Sequence, residues 1–350
     1  MTSTTLTGRP PASAGPARSV TARGGMLLAV LAVLAALVII SLAVGTEYLS
    51  PATVWHAIVS PDSSNPAHDI VRLRRWPRTV VAVIVGIALG TSGALAQALT
   101  RNPLADPGLL GVNSGAACAV VLAVGTFGIT SMSGYLVFAF AGALIVTAAV
   151  YLVGSAGRGS ADPVRLVLGG VALSAVLVGI TNALSLSNPR AFDNMRTWVA
   201  GSVVGRDWHV IWPVVPFMAV GLVLAFAVSG ALNAIALGDE RAKAMGVNLA
   251  MNRAAVLIAV TLLAGGATAI AGPIAFVGLM VPHVARWLVG PDQPWIIGMS
   301  ALLAAILLLA SDVLGRVIMR PGEVPVGVIT AFIGAPLLIV LIRGKKVREL

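Results

Sequence analysis

Aspartate, glutamate, lysine and arginine are missing from eight stretches of this sequence: residues 24–46, 79–100, 107–157, 166–189, 208–238, 254–285, 293–311 and 324–342. Nothing else in the chain constrains its fold as strongly. The hydrocarbon layer of a membrane is crossed by a helix of about 20 apolar residues, within a range of about 17–25. Six of the runs hold one such helix each. Residues 107–157 hold two, parted near Gly128 to Gly134, where glycine and serine cluster. Residues 254–285 are short for two full helices but contain the Gly-Pro break AGPIA at 271–275, which predicts two helices whose ends reach into the flanking segments. The expected total is ten spans. Barrel strands would alternate apolar and polar residues over about ten positions, and these runs are continuously apolar.

Composition agrees. Of the 350 residues 58% are hydrophobic and 10% charged, whereas soluble domains carry roughly 25% charged residues. The fold class predicted is therefore all-α, a polytopic membrane protein. Ten spans put both termini on one side. That side receives 14 of the 23 lysines and arginines, against nine opposite, and holds all the lysines: Lys243, Lys345 and Lys346. The excess of positive charge places the termini in the cytoplasm. The net charge of +10 reflects this bias, and there is no basic folded domain for nucleic acid. Residues 1–23, rich in Thr, Ser, Pro, Ala and Gly, are expected to form a disordered cytoplasmic tail. The membrane domain then runs over 24–345 and a short cytoplasmic tail over 346–350. The apolar run after Arg23 exceeds the roughly 7–15 residues of a secretory signal core, so it is read as the first span. The single cysteine, Cys118, lies inside an apolar run, excludes an intrachain disulfide, and reads as a small core residue.

The two halves echo each other. GALAQALTRNPLADPGLLG at 93–111 and GATAIAGPIAFVGLMVP at 266–282 each carry a small-residue helix, an Asn-Pro-Leu-Ala or Gly-Pro-Ile-Ala turn, and a Gly/Leu pair. PVRLVLGGVA at 163–172 and PVGVITAFIG at 325–334 form a second match. Under the ten-span topology each pair has opposite orientation, the arrangement of inverted-repeat transporters.

Chemistry is sparse. There is no GxxxxGK[ST] phosphate loop and no cluster with metal-ligand spacing, so neither a cofactor nor a metal is expected. His56, His68, His209 and His283 are scattered, and His283 reads as packing at a helix end. No charge-free run contains a carboxylate, and Asp312 and Glu323 fall at span borders. Carriers driven by protons usually need ionisable groups inside the membrane, so a transport cycle here would draw its energy from outside the chain. One short stretch is anomalous: ALGDERAKAMGVNLA at 236–250 packs Asp239, Glu240, Arg241 and Lys243 between two spans. Its acidic first turn and basic second suit the helix dipole, and Gly246 is a natural stop. A short cytoplasmic helix over 237–247 is predicted. The residues alone leave open whether it is a solvated loop or a docking helix for a soluble motor.

Four long segments then resemble a known family. They are RWPRTVVAVIVGIALGTSGALAQALTRNPLADPGLLGVNSGA (75–116), ALGDERAKAMGVN (236–248), AGPIAFVGLMVPHVAR (271–286) and GEVPVGVITAFIGAPLLIVLI (322–342). They are similar to the permease subunits of ABC importers for iron-siderophores, haem and cobalamin, in order and over about residues 26–345. The resemblance implies a type II importer permease with ten helices. Its partners would be a second permease subunit, identical or homologous, two cytoplasmic ATPase subunits and an extracytoplasmic binding protein, in a bacterial inner membrane. The chain would hydrolyse nothing itself.

On the same ground the ATPase coupling helix maps to Gly238, Asp239, Glu240, Arg241, Ala242, Lys243, Met245 and Gly246, with Met245 where the family more often has Leu. RLRRWPR at 72–78 places four arginines on the external side. The resemblance assigns docking of the binding protein to Arg75, Arg78 and Arg316, and a cytoplasmic gate to Asn102 and Leu104. TWVAGS at 197–202 corresponds to a short external helix near the entrance. A ferric siderophore is the substrate expected first, with haem or cobalamin as alternatives. A gradient-driven carrier or a membrane scaffold are the readings from other classes.

Overall fold

The computed structural model describes residues 19–45, 47–62, 64–129, 131–155 and 163–343. Among these the ordered elements are helices, with no strand. Ten apolar helices dominate: α1 Val20–Ala43, α2 Trp76–Thr100, α3 Val112–Phe127, α4 Met132–Ser155, α5 Pro163–Ser187, α6 Val215–Ala236, α7 Leu249–Ala271, α8 Val277–Val289, α9 Gln293–Ile318 and α10 Val326–Arg343. Seven are long and apolar enough to cross a membrane, while α3, α8 and α10 are the shorter apolar members. The breaks predicted near 128–134 and 271–275 separate α3 from α4 and α7 from α8.

Two boundaries differ from expectation. α1 starts at Val20, inside the stretch read as tail, because the Ser19 hydroxyl caps it by accepting the Ala22 N–H at 3.3 Å. Residues 1–18 and the tail at 346–350 lie outside the described residues. α9 runs on to Ile318, so Asp312 sits within a helix rather than at its border.

α2 and α7 form the centre, each mostly buried. Small residues allow this. Gly86, Gly90 and Gly93 line one face of α2, where an added Cβ would overlap the backbone of Ala305, Ser300 and Gly278. Without a hydrophobic drive inside lipid, such close backbone approach is what holds membrane helices together. The packing repeats across the two halves. α2 lies on α8 and α9 as α7 lies on α3 and α4; α3 pairs with α4 as α8 pairs with α9; and α4 meets α5 as α9 meets α10. Matched helices are five spans apart. An odd offset makes each pair run in opposite directions, which is the geometry of an inverted repeat. Cys118 is a buried free thiol, as its sequence context indicates, whereas His283, expected at a helix end, is buried in the middle of α8.

Candidate functional site

Charged side chains gather at the two ends of the bundle, and each end is a candidate site. At the first, a helical run from Pro66 leads into α2 through a π-helical turn, Ile70–Arg75. This wider turn carries three of the four arginines of RLRRWPR. Arg72 and Arg74 are exposed, and Arg75 and Arg78 are buried. Arg75 Nη1 donates to the carbonyls of Leu42 and Ala43 at 2.8 and 2.7 Å. Arg316 Nη1 donates to Ser41 O at 2.8 Å and Val44 O at 3.1 Å. The last carbonyls of α1, which have no partners within the helix, are thus met by cations at the negative end of its dipole.

Arg78 and Arg316 share one carboxylate. Arg78 grips Asp312 through Nε at 3.0 Å and Nη2 at 2.7 Å, and reaches Glu323 with Nη1 at 2.7 Å. Arg316 binds the other Asp312 oxygen through Nε at 3.0 Å and also through Nη2. Asp312 and Arg316 are each 2% exposed. This ion network explains why a carboxylate is tolerated inside a spanning helix: forked guanidinium pairs satisfy its lone pairs.

Arg75, Arg78 and Arg316, predicted as outward-facing, therefore have their guanidinium groups engaged below the surface. All three still line a cavity of about 370 Å³ that opens at this end. Arg74 and Arg206 join them, and its lining carboxylates are Glu323 and Asp207. Arg206 was not anticipated from the sequence. It lies just past TWVAGS and donates Nε to Ile270 O at 2.5 Å, near the C-terminal end of α7. Burial lowers its pKa to about 10, which leaves it charged at neutral pH. TWVAGS itself begins as the end of the helix Pro189–Val199 and finishes as a turn. Ser202 N–H donates to Ala271 O at 2.7 Å and Gly327 N–H to Gly201 O at 3.1 Å. The turn thereby fastens α7 to α10.

At the opposite end the predicted short helix is present as Asp239–Ala244. Gly238 at φ 110° starts it and Gly246 at φ 83° ends it. Gly246 N–H bonds Lys243 O at 2.9 Å and Val247 N–H bonds Ala242 O at 3.0 Å, the two bonds of a Schellman stop. Ala242 is the buried residue of the helix, while Glu240, Lys243 and Met245 face outward. Asp239 pairs with Arg101, which follows α2, and with Arg253 in the second turn of α7, the latter at 2.7 Å. Burial raises the Asp239 pKa, and the hydrogen bonds and charges of the two arginines outweigh it, holding the carboxyl below the usual carboxylate range.

Asn102 and Leu104 follow Arg101 directly. Asn102 Oδ1 accepts the Leu104 N–H at 2.9 Å, and Ala105 N–H donates to Asn102 O at 3.0 Å. This tight turn leaves Leu104 40% exposed at the end of the bundle. The structure thus brings the predicted gate and the predicted coupling helix together through Arg101. Among the described residues no group of three His, Cys, Asp or Glu side chains could hold a metal ion.

Residues 33–344 match the model of the FecCD transport family. The chain belongs to the FecCD family. This FecCD chain is 46% identical to the ferric enterobactin transport system permease protein FepD of Escherichia coli over 328 residues, covering 94% of the chain and 96% of that protein. It is 38% identical to the iron(3+)-hydroxamate import system permease protein FhuB of Bacillus subtilis, over 92% of the chain and 83% of that protein. A solved structure described as an inward-facing conformation of a metal-chelate type ABC transporter superposes on it with a TM-score of 0.81 at 28% identity. That match covers 91% of the chain and 99% of the solved one. The FecCD chain is thus a multi-pass helical permease.

Proposed function

We propose that this chain is the membrane-spanning permease subunit of an ATP-driven importer for a ferric siderophore. One observation carries the reading. A single bundle presents a five-arginine cavity at one end and a glycine-flanked, half-exposed short helix at the other. The first suits a soluble protein delivering cargo, and the second a soluble motor. Iron-chelate substrates of the relatives give the cargo class.

The arginine-rich end faces outward and takes an acidic side chain of a binding protein into the cavity. Arg74, the exposed one, meets it first, with Arg75, Arg78, Arg206 and Arg316 behind. Exposed ion pairs contribute only about 0–1 kcal/mol each, so the positive field chiefly speeds and orients docking. The other end, with both termini, faces the cytoplasm of a bacterial inner membrane. There the segment Gly238–Gly246 seats in a groove of an ATPase subunit, with Ala242 held against the bundle and Met245 exposed toward the partner. A second permease completes the path beside α5, most of whose residues are exposed or half-buried within this chain. ATP binding moves the short helix, and the turn at Asn102–Leu104 opens inward.

Asp312, the carboxylate inside a span, is saturated by Arg78 and Arg316. It is therefore not a coupling-ion site, and ATP hydrolysis on partner subunits supplies the energy. Affinity purification of the tagged chain from native membranes tests this. A co-purifying ATPase with a phosphate loop, lost when residues 239–245 are scrambled without loss of insertion, is the expected result. A chain recovered alone at good yield would contradict it.

A further inference from the structure

Asp239 reaches the residue that follows one span and a residue inside another. One carboxylate oxygen accepts from Arg101 Nη2 and the other from Arg253 Nη2. Glu240 and Lys243, by contrast, pair with each other at 3.2 Å on the exposed face of the same short helix. The two arginines are anchored very differently. Arg253 lies in the second turn of α7 and is 2% exposed, within the most buried of the described spans. Arg101 is the residue after α2, held at φ 48°, a left-handed conformation that side chains with a Cβ disfavour. Just before it, Gln97 Nε2 donates to Leu279 O at 2.9 Å and so fixes the last turn of α2 to α8. Just after it comes the Asn102–Leu104 turn. Arg101 is thus the joint between a fixed helix end and the gate.

The short helix is bounded by a glycine at each end. Gly238 and Gly246 have positive φ, and a Cβ at either would meet nothing within 4 Å. The glycines are therefore required by backbone conformation rather than by crowding. Between these glycines, the Asp239 carboxylate links the helix to the gate side and to the core side of the bundle.

We propose that Asp239 and Arg101 form the mechanical link between the coupling helix and the gate, with Arg253 as its fixed anchor. This rests on the permease reading above. A displacement of the short helix draws on Arg101, and the turn at Asn102–Leu104 moves with it while α7 stays in place. Arg101 acts here as a positioning residue and touches neither cargo nor nucleotide.

The test is Arg101→Gln in the complete transporter, reconstituted in vesicles with its ATPase and binding protein. Uptake of a ferric siderophore and ATP hydrolysis are measured in the same preparation. The link predicts normal assembly and continued hydrolysis, with uptake per ATP reduced about tenfold, at the upper range of coupling effects. Arg101→Lys, which keeps the charge, recovers most of the loss. A parallel fall of assembly, hydrolysis and uptake would show a merely structural contact and overturn the proposal, as would unchanged uptake. A fluorophore on Leu104→Cys, with Cys118→Ala, gives a second readout. Its ATP-dependent signal should be present with Arg101 and absent with Arg101→Gln; persistence of the signal would equally overturn the link. Should the unsubstituted chain recruit no ATPase, the permease reading itself fails, a result distinct from any of these.

Discussion

Two carboxylates, Asp312 and Asp239, organise opposite ends of this bundle, and each accepts two guanidinium groups from different segments. Asp312 sits on a 26-residue spanning helix with its side chain 2% exposed. Asp239 sits on a six-residue helix between glycines with its side chain 34% exposed. The pairing chemistry is the same, and the setting decides its consequence. In the buried network Arg78, Asp312 and Arg316 are all held by long packed helices, and the cluster locks α1, α2 and α9 together. On the short helix the same pairing joins a six-residue element bounded by glycines to the end of α2 and the start of α7. A salt bridge is a lock or a joint according to the freedom of the elements that carry it.

That contrast can be broken at several points. The largest effect belongs to Asp312→Ala, which leaves Arg78 and Arg316 as buried cations without their shared partner. Breaking a buried pair from one side costs about 3–5 kcal/mol. Size-exclusion and thermal unfolding in mild detergent should show little folded protein, whereas Asp239→Ala should remain folded. Replacing Arg75, Arg78 and Arg316 together by Glu should also fail to fold, because it buries carboxylates beside Asp312 and against the carbonyls that end α1.

Docking is tested more cleanly at the cavity mouth. Arg74→Glu, at the exposed arginine of the cavity, should slow association of the binding protein severalfold at low salt, with the difference shrinking as salt screens it. Surface plasmon resonance on the chain in nanodiscs reads both effects. Gly246→Ala comes next: forcing a Cβ into the left-handed region costs about 1–2 kcal/mol, so the Schellman stop frays and ATPase capture weakens in a pull-down.

The smallest effect is on acid stability. The Asp239 pKa is depressed in the folded state. Its contribution is therefore full above the unfolded value of about 3.9 and is lost only as pH falls below that toward the folded value. Thermal unfolding of the unsubstituted chain and of Asp239→Asn should converge below about pH 4 and differ by a constant amount through neutral pH.

Much of the scaffold was legible because a membrane imposes length and apolarity on every span. The charge-free runs located ten helices, and Gly-Ser and Gly-Pro breaks divided the two runs that hold a pair. The short helix was legible too, since four charges between apolar runs and a following glycine admit few other structures. The arginine end was not. Arg78 and Asp312 are 234 positions apart, and Arg101 and Asp239 are 138 apart. Counting charges by side places such residues at the right end without saying which faces which. One clue was available: Asp312 and Arg316 are spaced i, i+4 at the end of an apolar run, and on a helix those side chains meet. Extending that run by two turns would have put a paired carboxylate inside the span. Arg206 gave no such signal, because its contact with Ile270 depends on how the turn after the Pro189–Val199 helix folds back.

The turns of the internal repeat show the same limit. NPLA and GPIA match in sequence, yet Leu104 is 40% exposed and Ile274 is 5% exposed. The second turn is covered because Ser202 binds Ala271 O beside it and Gly201 is bonded to Gly327. Similar local chemistry thus gives a free turn at one end of the bundle and a fastened one at the other.

The most direct test of the account is energetic. The chain should be reconstituted in vesicles with its ATPase and binding protein, and uptake of a radiolabelled ferric siderophore followed with and without ATP. Uptake that requires both ATP and the binding protein, and persists when ion gradients are collapsed, is the predicted result. Uptake by the chain alone, driven by an ion gradient in ATP-free vesicles, would contradict it.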